Sequence, residues 1–385
     1  MQKNLSIYIH WPFCLSLCPY CDFNSHISDS IDEQAWIESY IKELSYFLES
    51  FEGGDIESIF FGGGTPSLMS PKLVGKILTY ISSIKPIDKA EITLEANPTS
   101  SEAAKFRGFK NAGINRVSIG IQALRDNDLI RLGRKHSAQE GVKAIEMASK
   151  IFDNFSFDLI YGREGQNIQD WESELNEAIN FSSPHISLYL LTIEKGTPFY
   201  KLHREGALKL PSNELCADLL NATTNILDTK GFKRYEISNY AKNGYESRHN
   251  LAYWKYKDYI GIGPGAYSRI SSGGNSSSAI MTHHNPQKWL SEVAANGHGI
   301  QKNTLLNMGE RISEIVMMGL RIKSGIDEAL LFHMTQKKFL DILDLNYLSF
   351  LEKEGFVVYD KNEGRIYLTD SGMNLHSFIT SRILL

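Results

Sequence analysis

Tyr8-Ile9-His10-Trp11-Pro12-Phe13-Cys14-Leu15-Ser16-Leu17-Cys18-Pro19-Tyr20-Cys21-Asp22-Phe23 decides how this chain folds and what it holds. Just before it, Leu5, Ile7 and Ile9 alternate with Ser6, Tyr8 and His10, the period-2 pattern of a half-buried strand that runs into the loop. Three of the four cysteines crowd into that loop. Thiolates are soft ligands suited to zinc or iron–sulfur. Structural zinc wants four closed ligands, and Cys216 stands alone in the helical stretch Asn213–Leu220, where a small buried hydrophobe is expected. Three thiolates suit a [4Fe–4S] cluster with one iron left open to a small molecule.

Outward from the loop, strand and helix signals alternate. Ser30–Glu52 carries a helical stripe of Trp36, Ile37, Tyr40, Ile41, Leu44, Phe47 and Leu48. Further strands are expected at Ile56–Phe61, Glu91–Glu95, Arg116–Ile121, Phe155–Ile160 and His185–Leu191, and Ser137 with Glu140 forms a capping box for one intervening helix. Six such units predict an α/β fold, a partial (β/α)6 barrel, whose chemistry gathers at the C-terminal ends of its strands. The cysteine loop, Gly62-Gly63-Gly64-Thr65-Pro66 and Glu95 all fall there. Glycines let backbone approach a ligand closely and present N–H groups to it; the alternative is a tight strand-to-helix turn.

Ser271–Ser278 and the stretch up to Asn307 are expected as a connection. Beyond it, helices at Glu310–Leu320 and Asp344–Lys353, a hairpin of Phe356–Tyr359 with Arg365–Thr369, and a last helix Ser371–Arg382 predict a C-terminal helix-rich, winged-helix-like domain. The expected organisation is 1–235 for the barrel, 236–305 for a connecting region and 306–385 for the C-terminal domain. Residues 305–385 carry 9 Lys/Arg against 11 Asp/Glu, so the winged-helix pattern predicts no nucleic-acid partner. The whole chain has a net charge of −5 and no apolar run near the roughly 20 residues of a membrane-spanning helix. With no apolar leader after Met1, the expectation is a cytoplasmic protein.

The C-x3-C-x2-C spacing with the glycine loop resembles the radical S-adenosylmethionine (SAM) superfamily. That resemblance implies SAM bound to the open iron and cleaved by one electron to a 5′-deoxyadenosyl radical. Tyr8 to Phe13, the glycine loop, Leu94-Glu95-Ala96-Asn97-Pro98, Ser118-Ile119-Gly120-Ile121-Gln122 and Phe157-Asp158-Leu159-Ile160-Tyr161-Gly162 resemble the oxygen-independent coproporphyrinogen dehydrogenase superfamily over nearly the whole chain. The resemblance makes Cys14, Cys18 and Cys21 the cluster ligands. It puts Tyr8, Gly63, Gly64, Thr65 and Glu95 on SAM, with Tyr20 beside them, and Gln122, Arg134 and Asp158 along the adjoining cavity. Read as residues alone, Tyr8 could equally be strand packing, Glu95 a helix cap, and the other three a polar network.

Two branches share the pattern. The dehydrogenase has a fourth cysteine two residues after the third and a long N-terminal arm. Here that position is Phe23, and 13 residues precede Cys14. Both features, with His249-Asn250-Leu251-Ala252-Tyr253-Trp254, are similar to the HemW-type haem chaperones. That resemblance implies haem as cargo touched by His249, Tyr253 and Trp254. It also implies transfer to acceptor haemoproteins, membrane respiratory proteins among them, a homodimer, and no dehydrogenase activity. Chemistry alone leaves His249 as a hydrogen-bonded core histidine among aromatics. In one departure, Arg163-Glu164 stands where the family has Leu-Pro; it removes a proline and predicts a charge pair near the cavity.

Overall fold

The computed structural model describes residues 4–28, 30–49, 51, 53–271 and 276–385. The six expected strands are present as β1 (Leu5–Trp11), β2 (Ile56–Gly63), β3 (Glu91–Ala96), β4 (Arg116–Gln122), β5 (Asn154–Tyr161) and β6 (His185–Leu190), side by side and parallel. In β1 the apolar set Leu5, Ile7 and Ile9 is buried, but so are Ser6 and His10. A parallel strand is covered on both faces, so the alternation marks two buried environments. One is the apolar core; the other is a polar interior where Ser58 Oγ donates to Ser6 Oγ over 2.9 Å.

The helix read over 30–52 runs from Glu33 to Glu49, with Asp32 accepting from the Gln34 and Ala35 N–H groups; Ser50 and Glu52 lie outside the described residues. It buries Trp36, Ile37, Tyr40, Leu44, Phe47 and Leu48. The Ser137–Glu140 capping box is present as expected.

The sheet is wider than six strands. β7 (Lys233–Arg234) and β8 (Asn239–Ala241) extend the β6 edge antiparallel. On the other side β9 (Tyr259–Ile262) is a seventh parallel strand against β1, followed antiparallel by β10 (Tyr267–Ser271), β11 (Ser277–Thr282) and β12 (Ile300–Leu306). Among the described residues β7 and β12 remain edges, so the sheet does not close. The stretch read as a connection therefore carries two strands and the helix Pro286–Asn296; residues 272–275 lie outside the described part. β12 escaped notice because Gln301, Lys302 and Asn303 are exposed on an edge, and no apolar alternation marks it.

Glu43 fastens this extension to the first helix. Its buried carboxylate accepts from Gly263 N, Gly299 N and Trp289 Nε1, at 2.7 to 3.1 Å.

The C-terminal part has its own core around Ile315, Leu331, Phe339, Leu351 and Leu368. It joins the helices Met308–Gly319, Glu328–Thr335 and Leu345–Lys353 to a small antiparallel sheet of β13 (Ile326–Asp327), β14 (Val357–Asp360) and β15 (Arg365–Leu368). The expected hairpin is β14–β15. The expected last helix is instead two, Asp370–Asn374 and His376–Thr380, anchored separately. Gly372 packs onto the Phe356 carbonyl where a Cβ would collide at 1.9 Å, and His376 Nε2 bonds Met317 O at 2.8 Å. No helix among the described residues is long and apolar enough to cross a membrane.

Candidate functional site

β1 delivers the cysteine loop to the C-terminal end of the sheet. The loop is pinned at its base by Cys14 N to His26 O at 2.9 Å and His26 N to Pro12 O at 2.7 Å, and it turns through Cys21 N to Cys18 O at 3.2 Å. Cys14, Cys18 and Cys21 all line one cavity of about 160 Å³, together with Tyr20, Gly63, Gly64, Thr65, Glu95, Gln122, Arg134 and Asp158. The predicted cluster and cavity residues are thus brought together, apart from Tyr8. That side chain lies within the polar interior, its hydroxyl donating to His10 Nδ1 at 3.1 Å, while His10 Nε2 donates to Asn24 O at 2.8 Å.

A polar chain runs around the cavity. Thr65 Oγ1 donates to Cys14 Sγ at 3.3 Å and accepts from Asn97 Nδ2 at 3.1 Å. Arg134 Nη2 donates to Asn97 Oδ1 at 2.7 Å and to Gly120 O at 2.9 Å, and its Nη1 reaches Cys18 Sγ at 3.4 Å. Asn97 was not singled out from the sequence, although it sits two residues after Glu95 in the quoted Ala96-Asn97-Pro98.

The glycine loop lines the cavity and is also seated against the cysteine loop. Gly64 N donates to Trp11 O at 2.7 Å and Thr65 N to Phe13 O at 2.8 Å, so these amides are engaged by the cysteine loop and not offered to a ligand. Gly63, at φ +106, lies where a Cβ would meet the His10 ring at 2.5 Å, and a Cβ on Gly64 would meet Phe13 O at 2.7 Å. The glycines are needed to seat the two loops together. Gln122 adopts φ 71 at the cavity wall, a left-handed conformation that costs a non-glycine residue about 1 kcal/mol or more.

Two carboxyls line the same cavity. Burial, then the neighbouring Asp158, pushes Glu95 up to about 8 against the Gly63 N–H; burial pushes Asp158 up to about 6 against Ser187 and Arg116. A ligand carrying positive charge would ionise both and relieve that cost. Burial likewise holds the Cys14 thiol above its ordinary range and Cys21 at about 11. Iron ligation removes those protons. Among the described residues no three metal-binding side chains converge as around a single ion. A multi-iron cluster spreads its thiolates more widely than one ion does, so three thiols ringing a cavity fit it. The cationic SAM fits the two carboxyls.

Cys216 lies elsewhere and is half-buried rather than buried, on the helix Asn213–Thr229. Phe23 is 61% exposed at the rim, beside the exposed Leu15 and Leu17. Arg163 does not pair with Glu164 or line this cavity. It is buried against Glu174 and lies 3.2 Å from Asp128, while Glu164 accepts from Lys209 N at 2.8 Å.

The His249 motif lies at the other end of the strands. Its helix, Arg248–Trp254, begins against Glu91, the first residue of β3, whose Oε1 accepts Arg248 N at 2.9 Å and His249 N at 3.4 Å. His249 is 1% exposed, stacks on Phe60 at 4.9 Å, and has both ring nitrogens engaged: Nδ1 with Ser58 Oγ at 2.9 Å and Nε2 with Tyr253 OH at 2.8 Å. Burial pushes its pKa down to about 3, so the ring is neutral. His249 and Tyr253 are thus turned onto each other, the first buried and the second half-buried. Trp254 alone points elsewhere, with Arg321 over its ring at 4.4 Å.

Residues 8–178 match the family model described as the Radical SAM superfamily. The chain is 33% identical over 370 residues to the heme chaperone HemW of Bacillus subtilis, covering 95% of this chain and 96% of that one. It is 38% identical over 270 residues to the heme chaperone HemW of Escherichia coli, covering 69% and 70%. It is 38% identical over 326 residues to the mitochondrial radical S-adenosyl methionine domain-containing protein 1 of Danio rerio, covering 83% and 73%. The solved coproporphyrinogen III oxidase HemN of Escherichia coli superposes with a TM-score of 0.81 over 99% of this chain and 90% of that one, at 20% identity, a likeness of fold.

Proposed function

The chain belongs to the HemW family of radical SAM proteins, and from that membership we propose that it binds haem and passes it to haemoproteins, with a [4Fe–4S] cluster and SAM at the mouth of its sheet. The observation that carries the reading is the match to a heme chaperone over 95% of this chain, joined to a cluster loop with three cysteines and an exposed Phe23 two residues after the third. Cys14, Cys18 and Cys21 hold the cluster. When bound, it supplies an electron to the SAM sulfonium. Thr65 and Arg134 donate toward two of the thiolates and tune the charge they carry. Glu95 and Asp158 meet the positive end of SAM, and Gln122 shapes the wall beside it. Haem is cargo on this reading, and the acceptors are apo-haemoproteins, membrane respiratory proteins among them. The protein works in the cytoplasm, and the exposed Leu15, Leu17 and Phe23 offer apolar surface to a second copy or an acceptor.

The test is anaerobic titration of haem into the reconstituted protein, then mixing with an apo-haemoprotein. Saturable haem binding followed by appearance of the acceptor's own haem spectrum is expected. Free haem transferring equally fast without the protein contradicts it.

A further inference from the structure

Below the cavity, the polar interior of the sheet holds a buried cation. Arg116, the first residue of β4, is 2% exposed and forms no ion pair among the described residues. Its Nη2 donates to Ser156 Oγ at 2.8 Å, and its Nε is buried without a partner. A guanidinium can only donate, so the Ser156 hydrogen is left for Ser118 Oγ at 2.9 Å, and the Ser118 hydrogen for Asp158 Oδ1 at 3.4 Å. This chain of donors starts at the amino end of β4 and ends on a carboxyl of the cavity, which Ser118 and Asp158 both line. A buried unpaired charge is costly, and an apolar side chain of similar length would fill the space without that penalty.

We infer that Arg116 is a positioning residue for the SAM site: its charge, carried through Ser156 and Ser118, keeps Asp158 and Glu95 within reach of ionisation when a cationic ligand enters. The inference rests on the SAM reading above and adds the residue that tunes it. Burial favours the neutral form of both carboxyls, and Arg116 opposes it at each. Arg134, on the cavity wall, is the other cation facing Asp158. The remaining groups near Arg116 do not compete for its charge. His185 on β6 and His249 are held neutral by burial, with Arg116 pushing the same way, and burial keeps the Tyr235 phenol protonated. The phenols of Tyr8, Tyr189 and Tyr253, which feel Glu95, are likewise kept protonated by burial. Glu91, at the start of β3, is committed to the Arg248 and His249 amides, and Glu236 is paired with Arg321 at 2.9 Å. The field of Arg116 therefore falls on the two cavity acids.

The test is SAM titration of the full-length reconstituted protein from about pH 6 to about pH 9, read by the SAM-induced change in the cluster spectrum. Arg116→Met, Arg116→Lys and Ser156→Ala are compared with wild type. Arg116→Met is expected to bind SAM more weakly at neutral pH and to move the midpoint of the rise in affinity up by about one pH unit. At the alkaline end, where both carboxyls are ionised regardless, it should match or exceed wild type. Arg116→Lys should keep the wild-type midpoint. Ser156→Ala, which cuts the link and leaves the charge, should move it up by less. A loss of affinity equal at every pH would make Arg116 a strut and overturn the inference, as would a flat wild-type profile. A wild-type midpoint in both Arg116→Met and Ser156→Ala overturns it too, and should Arg116→Met fail to hold a cluster, the Ser156→Ala midpoint decides. Absence of any SAM-induced change in wild type overturns the SAM reading itself.

Discussion

Arg134 Nη1 lies 3.4 Å from Cys18 Sγ while its Nη2 grips Asn97 Oδ1 at 2.7 Å, so one guanidinium joins the end of β3 to a thiol of the β1 loop. Asn97 hands the link on to Thr65 and thence to Cys14. A positive charge and an N–H at a ligating sulfur favour the more negative, reduced cluster.

Arg134→Gln is therefore expected to lower the cluster's reduction potential by about 60 mV or more, the one-electron equivalent of ~1.4 kcal/mol. Redox titration followed by electron paramagnetic resonance reads it. A potential equal to wild type would mean that Arg134 does not act on the cluster.

Iron analysis after anaerobic reconstitution separates ligands from bystanders. Ala at Cys14, Cys18 or Cys21 is expected to abolish the cluster, and Cys216→Ala to retain it, since that thiol sits on the distant helix Asn213–Thr229. Loss of iron in Cys216→Ala would break the three-cysteine assignment.

SAM affinity is expected to rise with pH between about 6.5 and 8.5. Glu95, held near 8 by burial and Asp158, is largely protonated at neutral pH, and the cationic ligand prefers the carboxylate. Glu95→Gln should bind SAM more weakly and with a flatter profile, measured by the SAM-induced change in the cluster spectrum. An equally steep profile in that variant removes Glu95 from the site.

His249 gives a stability prediction. Its folded pKa, near 3, lies below its unfolded value, so the unfolded chain binds the extra proton and the neutral ring's contribution fades as pH falls below about 6.5. His249→Gln should melt at a lower temperature than wild type at pH 7.5, and the gap should narrow toward pH 5. A gap that widens on acidification contradicts the buried neutral ring.

The parts legible in the sequence share a local signal. β1 to β6 announce themselves by apolar runs between helical stripes, and the cysteine loop by its spacing. What stayed hidden depends on partners far along the chain. Ser58, which fixes His249, is 191 positions away, and Asn24 of the cysteine loop donates to Pro264 O, 240 positions away. Glycines at 63 and 64 signal a close approach but not to what; the fold shows His10 and Phe13 pressing on them beside the cavity. β9 is four residues long and holds its place by pairing with β1, which composition does not reveal.

The most direct measurement of the central claim incubates one anaerobically reconstituted preparation, with SAM and a strong reductant, in parallel with haem and with coproporphyrinogen III. The account predicts saturable haem binding and no protoporphyrinogen above a cluster-free control. Protoporphyrinogen formed well above that control, without haem binding, would contradict it.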